Sequence, residues 1–447
     1  MTEKLQVDST YRQIIKITFP ISLALLVPQL NFIINNIFLG NLSENALATA
    51  SITGVFYLIF GSIGFGLNNG LQALISRRAG ENRPEEIGKI FNQGILVSLF
   101  IAAFGIFITW FVAPIIFRNF IHSAEISEKV IVFLRIRIFG LPFLYIYQMR
   151  NALLVGINRS RLLIAGTLAE AVTNIFFDYS LIFGHFGFPK MGFNGAAVAS
   201  IIAEFSGMFV IFAVITSKGI SKRYALFRSF YFEKENATSI LKMSGPLIFQ
   251  HAISICSWFF FYILVEHHGV TSMAVSNTMR NIFGFFGVFV WALASTTNSM
   301  VSNVIGQGKT DQVIPLITKV MKLSFSFAIV GYLFLNIFPV AFLSIYGQEG
   351  EFIKLGVQVL RVVSIAMLLM SFGSIWLYAV TGTGNSRYTF LIEFAAILFY
   401  CIYVYIVLEV KYMSIVWGWL SEFLYWVILF SLSFLYIKSK KWLHTKI

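Results

Sequence analysis

The sequence predicts an all-α polytopic membrane protein, with twelve transmembrane helices in two six-helix lobes related as parallel repeats. Three observations carry that prediction. The 447 residues are 57% hydrophobic and 12% charged, with a mean hydropathy of +0.79, whereas soluble domains carry roughly 25% charged residues. Apolar stretches of more than the roughly 20 residues needed to cross about 30 Å of hydrocarbon recur along the whole length. Finally, the chain pairs with itself without gaps at an offset of 226 residues, which brings Pro20 onto Pro246.

Each span ends at a polar break. The first, at about 14 to 39, stops at Gly40-Asn41, and the second, at about 46 to 76, runs into SRRAGENRPEE. The third lies at about 90 to 117 and ends at Arg118. The fourth, at about 127 to 156, ends in GINRSR, the fifth, at about 162 to 187, before Lys190, and the sixth, at about 191 to 217, in SKGISKR. The second six follow at about 239 to 266, 271 to 304, 313 to 342, 352 to 380, 386 to 409 and 412 to 437.

Orientation follows from Lys and Arg, which cytoplasmic loops retain. With the N-terminus inside, twenty-three of these residues fall inside, from Lys4 and Arg12 to Arg228 and Lys446. Only Arg118, Lys129, Lys190, Lys354 and Lys411 fall outside. A miscount of one helix would scramble that split, so it supports twelve spans and cytoplasmic termini in a multi-pass protein of the cell (inner) membrane. The net charge of +13 then lies mostly in short loops facing anionic headgroups, which makes membrane lipid, and not nucleic acid, the expected partner. The first span is too long for a signal-peptide core and no small-residue cleavage site follows it. Cys256 and Cys401 lie inside apolar spans without metal-ligand spacing and are expected to be packing residues.

The 226-residue offset also pairs Phe60-Gly61 with Phe286-Gly287, Leu134-Arg135 with Leu360-Arg361, Ser160-Arg161 with Ser386-Arg387 and Gly192 with Gly418. An even six-plus-six split gives both halves the same orientation, an arrangement found in transporters, where the substrate site lies between the lobes and alternating access is largely rocking of one against the other. The expected division is an N-terminal lobe at 1–217, a basic linker at 218–242 and a C-terminal lobe at 243–447.

An ionisable residue at the bilayer centre costs about 2.5 to 3.5 kcal/mol on insertion scales and is by default a functional-site hypothesis. Asp178, in TNIFFDYSLIFG, is such a residue. On the fifth span Glu170, Asn174 and Asp178 are four apart and share one face, and the sixth carries Ser200 and Glu204 at the same spacing. Counting inward from the outer ends, Asp178 matches Ser200 in depth and Asn174 matches Glu204. The first span adds Asn31 and Asn35. Taken singly, Asn31, Asn174 and Ser200 fit interhelical hydrogen bonding equally well. Asp178 differs, because a structural carboxylate needs a cationic partner and neither its own helix nor the facing one supplies it. The offset maps Asn174 to Tyr400, Asp178 to Val404 and Glu170 to Ala396, so the cluster belongs to one lobe. In the other lobe Gln250, His251, Tyr262, Asn277, Arg280, Asn281 and Glu422 are candidate cavity residues, with Arg280 and Glu422 at matching depth for an ion pair. The glycines of GFGLNNG, four apart in an apolar helix, are read as a close-packing surface.

NIFFDYSLIFG followed by FNGAAVAS, together with LQALISRRAGENRPEEIGK, FLRI, GINRSR and GTGNSR, resembles the multidrug and toxic compound extrusion (MATE) family over essentially the whole chain. The resemblance implies cation-coupled export. It matches Asn174 and Asp178 to first-lobe cation-site residues of the DNA-damage-inducible (DinF-like) branch, and Ser200 to a hydroxyl residue that is usually threonine. Where the family usually has an aspartate on the first helix, NNIFLG has Asn35, and Glu204, one turn from Ser200, is the nearest replacement for the missing charge. The coupling ion is H+ or Na+; a Na+ would be held by Asp178, Asn174 and Ser200. No cofactor and no enzymatic activity are expected, and the protein is expected to be a monomer. The leading function is a secondary antiporter exporting organic, mostly cationic and amphipathic compounds. The alternative is a flippase for lipid or lipid-linked oligosaccharide, with Arg135, Arg137, Arg361 and Arg280 binding pyrophosphate. Arg135 and Arg361 also read as interfacial anchors.

Overall fold

The computed structural model describes residues 5–42, 44–120, 123–227, 231–346 and 349–445; Lys4, Arg228 and Lys446 of the charge count lie outside them. Among the described residues there is no strand, and twelve helices are long and apolar enough to cross a membrane. They are α1 Tyr11–Leu42 and α2 Glu44–Gly80, α3 Pro84–Asn119, α4 Ala124–Gly156, α5 Ser160–Phe183, α6 Phe193–Ser217, α7 Lys234–Glu266, α8 Val270–Gly306, α9 Thr310–Ile337, α10 Glu351–Gly382, α11 Ser386–Val410 and α12 Ile415–Lys438. The largest shortfalls against the expected spans are at the C-terminal ends of α5 and α9. Gly184 stops α5 in the left-handed region (φ +81°), where its N–H and that of His185 both reach the Ser180 carbonyl and glycine carries no Cβ penalty. A break before Pro339 ends α9 and starts the short helix Pro339–Ser344.

The chain forms two compact units, Leu23–Ile248 and Met1–Ser22 with Phe249–Ile447. In the first, α2 packs on α3 and α4, α3 and α6 pack on α4, and α5 pairs with α6. In the second, α8 packs on α9 and α10, α9 and α12 pack on α10, and α11 pairs with α12. Each pairing of the first unit recurs six helices later, as a duplication requires.

These units do not coincide with the repeat boundary. The chain passes between them within α1 and within α7, two residues after Pro20 and Pro246 respectively, at matching places where a proline removes one helical hydrogen bond. Specific contacts explain the assignment. In the second unit the N-terminal arm is tied to the end of α8: Asn303 accepts from the Val7 N–H (3.1 Å) and donates to the Leu5 carbonyl (3.0 Å), Gln307 donates to Val7 (2.9 Å), and Thr18 shares a hydrogen bond with Thr296 (2.9 Å). In the first unit the basic loop is fastened to α3, where the Phe227 N–H donates to Asn92 (3.0 Å) and Gln93 donates to the Tyr231 carbonyl (2.7 Å).

The glycines of GFGLNNG do form a packing surface, on α7. A Cβ on Gly66 would meet the backbone nitrogen of Ile248 at 2.8 Å, and one on Gly70 the Cα of Ser244 at 2.9 Å. On α3, by contrast, Phe100, Phe104, Phe107 and Phe111 are exposed along one helical stripe, the surface a lipid-facing helix presents. Cys256, expected to pack, is exposed on α7. We expect Gly66→Leu or Gly70→Val to lower the melting temperature of the detergent-solubilised protein, by an overpacking cost of about 1–3 kcal/mol. Gly61→Ala, whose Cβ would meet nothing within 4 Å, should leave it unchanged, and thermal unfolding followed by size-exclusion fluorescence reads the difference.

Candidate functional site

The site is built on the antiparallel pair α5 and α6, whose register is set by close contacts along its length. Gly195 lies against Leu181, Thr173 donates to Ser206 (3.0 Å), and Gly166 lies against Ile211. This register places Ser200 level with Asp178 and Glu204 level with Asn174, as the depth count predicted. The C-terminal end of α1 joins them, with Leu39, Ile182 and Ala196 forming one buried apolar cluster and the Phe38 ring 6.2 Å from Tyr179 and 6.1 Å from Phe183. Asn35, Asp178 and Ser200 each lie four residues inward of one member of that cluster, on the same helix faces, about 6 Å deeper. A polar layer of three oxygen-bearing side chains therefore sits directly beneath an apolar seal. Asn31, Asn174 and Glu204 form the next layer, one turn further in.

Asp178 is 1% exposed. Its Oδ1 has no hydrogen-bond partner among the described residues, and the same holds for Asn35 Oδ1 and Asn174 Nδ2. A buried polar atom without a partner costs about 1–3 kcal/mol, so three such atoms within one helical turn of depth are costly as structure. Two of them, on Asp178 and Asn35, are oxygens, and the third, on Asn174, is an amide nitrogen.

Glu204 occupies a different environment from the one expected. Arg137 of α4 grips it with two hydrogen bonds, Nη1 to Oε2 at 2.9 Å and Nη2 to Oε1 at 2.5 Å, with the two side chains only 12% and 6% exposed. Tyr57 of α2 backs the pair, its ring 3.9 Å from the guanidinium carbon and its hydroxyl donating to Glu204 at 3.4 Å. Gly140 makes room, since a Cβ there would fall 2.2 Å from Glu204 Oε2. The charge of Glu204 is thus answered, and it is not the free second carboxylate the sequence suggested. The arginine that pairs with Glu204 comes from a third helix, α4. Glu170 packs against Gly207, one turn inward of the Asn174 layer.

In the second unit Tyr262, Asn277 and Arg280 do come together, lining a cavity of about 460 Å³ with Glu266 and Met273. Arg280 donates to Asn277 (3.1 Å) and lies 5.4 Å from the Tyr262 ring. The expected ion pair with Glu422 is not formed. Glu422 is 4% exposed and accepts from Trp426 one turn along its own helix at 2.9 Å; matching depth on two helices does not make their side chains face each other. Gln250 is buried on α7 beside Glu393, a carboxylate the sequence reading passed over.

The sequence profile described as MatE matches this chain twice, over residues 20–180 and 246–406, two segments whose starts and ends are both displaced by the 226-residue repeat. The chain belongs to the MatE family. Relatives include the probable multidrug resistance protein NorM of Thermotoga maritima, 23% identical over 403 residues, 88% of this chain and 84% of the relative. The probable multidrug resistance protein NorM of Synechocystis is 20% identical over 373 residues, 80% and 79% of the two chains. Among solved structures, a MATE protein in complex with MaL6 superposes with a TM-score of 0.90 at 18% identity, covering 98% of this chain and 99% of the other. An outward-facing multidrug resistance MATE transporter of the MOP superfamily gives 0.86 at 18%, covering 99% and 98%. At such identity these structures establish the fold of the MatE protein described here.

Sequence reasoning missed the role of Arg137, which it grouped with phosphate-binding arginines, and missed Tyr57 altogether. A signal was available: Arg137 lies thirteen residues inside a span that starts at Ala124, too deep for an unanswered cation. Removing one partner of a buried pair costs about 3–5 kcal/mol because the other charge is stranded. We therefore expect Arg137→Gln and Glu204→Gln each to lower thermal stability strongly, and the double substitution to recover more than half of the larger loss. Additive losses would show that the pair carries no coupling.

Proposed function

We propose that this MatE protein is a secondary antiporter that exports organic, mostly cationic and amphipathic compounds in exchange for a cation, by alternating access, as a monomer in the cell (inner) membrane with both termini cytoplasmic. Membership of the family and relatives named as multidrug resistance proteins support export. The observation that carries the coupling is Asp178: a fully buried carboxylate whose Oδ1 has no partner, in a layer with Asn35 and Ser200, while the one nearby arginine is held by Glu204. With Glu204 neutralised by Arg137, the layer holds a single negative charge. One carboxylate suffices to carry a proton, whereas Na+ must be drawn from its hydration by Asp178, Asn174 and Ser200 alone, so we read H+ as the coupling ion.

Asp178→Asn should abolish gradient-driven efflux while the protein reaches the membrane in normal amount, because an amide neither exchanges a proton nor neutralises a cation. Efflux of a fluorescent organic cation from proteoliposomes, under separate proton and sodium gradients, tests both the residue and the ion. Wild-type rates in folded Asp178→Asn protein would remove the site, and efflux driven by sodium alone would overturn the proton assignment.

Glu204→Gln should also impair coupling, now because the released Arg137 is free to neutralise Asp178. Asn35→Asp in that background should restore part of the rate by returning a negative charge to the layer. Arg135 stacks on Trp110, 5.0 Å from the ring, and donates to its carbonyl at 3.4 Å, so Arg135→Lys should leave drug efflux largely intact. Loss of cell-envelope assembly with unchanged drug susceptibility would instead favour a flippase.

A further inference from the structure

Glu393 lies on α11 of the second unit, about 10 Å inside the end that starts at Ser386, and is 2% exposed. It sits where three helices meet. Ser254 of α7 donates to its Oε1 at 2.6 Å and Tyr425 of α12 donates to the same oxygen at 2.5 Å. The other oxygen, Oε2, is buried with no partner among the described residues. Among the described residues no lysine or arginine is paired with the group. Of the titratable side chains on these helices, Tyr425 of α12 bonds the group, Tyr400 of α11 lies with its ring 6.1 Å from that of Tyr425, Glu422 is on α12 and His251 follows Gln250 on α7. His251 has partners of its own, and Glu422 is tied to Trp426.

This is the opposite of the Arg137–Glu204 arrangement. There an arginine bonds the carboxylate at both oxygens. Here two hydroxyl donors converge on one oxygen and the second is left bare in an apolar surrounding, where an unpaired charge is expensive. A proton on Oε2 removes that charge, while the donors to Oε1 lower the cost of letting it go. The 226-residue offset places Thr167 at the equivalent position of the first unit, so the group is not a relic of the duplication. The sequence reading, which followed the Asp178 face, had no reason to single it out.

We propose that Glu393, held by Ser254 and Tyr425, is a second proton-binding site, separate from Asp178 and confined to the second unit. On the antiporter reading given above, and only on it, this site binds and releases a proton in the transport cycle alongside Asp178.

The site can be tested without any transport substrate. In purified protein reconstituted in lipid, pH-difference infrared spectra should contain a protonated-carboxyl C=O stretch that is absent in Glu393→Gln and retained in Asp178→Asn. Tyr425→Phe and Ser254→Ala each remove a donor that favours the ionised form, so they should shift the loss of that band to higher pH by about one unit. These two variants also decide the matter should Glu393→Gln not fold. A band set unchanged in Glu393→Gln, or a titration unmoved in both donor variants, would overturn the site. In proteoliposomes, Glu393→Gln should reduce proton-driven efflux several-fold. Normal efflux with normal proton uptake, alongside loss of the band, would overturn its part in the cycle and leave the antiporter reading standing.

Discussion

A charge buried in an apolar medium has to be answered, and the first unit is organised around how its carboxylates are. Three carboxylates, Asp178, Glu170 and Glu204, lie on α5 and α6 of one helical unit, and the guanidinium of Arg137 is paired with one of them. Arg137 spends its bidentate geometry on Glu204, and Tyr57 and Gly140 are shaped to that pair. Everything else follows from the remainder. Asp178 keeps a bare oxygen one turn from the apolar cluster of Leu39, Ile182 and Ala196.

The duplication explains the architecture but not the chemistry. Helix pairings recur across the two units, and even the points at which the chain passes between units lie at equivalent prolines. The buried acids do not recur: the second unit has hydrophobic residues where the first has Asp178 and Glu170, and carries Glu393 and Glu422 where the first has none. Packing constrains small residues and apolar faces in both halves alike. A buried acid is costly enough that it persists only where a specific local set of donors or a counter-charge supports it, and such a set is easily lost from one copy.

Much was legible in the sequence. The spans, their number and the repeat followed from hydropathy and a single offset, because a bilayer demands long apolar helices whatever their tertiary arrangement. The layers of the site were legible too, since helical spacing assigns faces and a 1.5 Å rise assigns depth: Asp178 with Ser200, and Asn174 with Glu204, stand where counting put them. Counting could not show which way a side chain turns at its level. Glu204 and Asn174 share a depth, yet Glu204 turns to α4, and Arg280 and Glu422 share a depth without meeting.

The sequence by itself determined that this chain crosses the membrane twelve times as a doubled six-helix unit and that Asp178 is an acid in the wrong solvent. Only the tertiary structure decided which acids are paired. Pairing depends on contacts between residues such as Arg137 and Glu204, or Ser254 and Glu393, brought together by helix packing across separations of 67 and 139 positions. No local periodicity records such contacts. The rotation of each helix about its axis, set by glycine contacts and apolar seals, leaves one carboxylate gripped at both oxygens and two others with an oxygen bare.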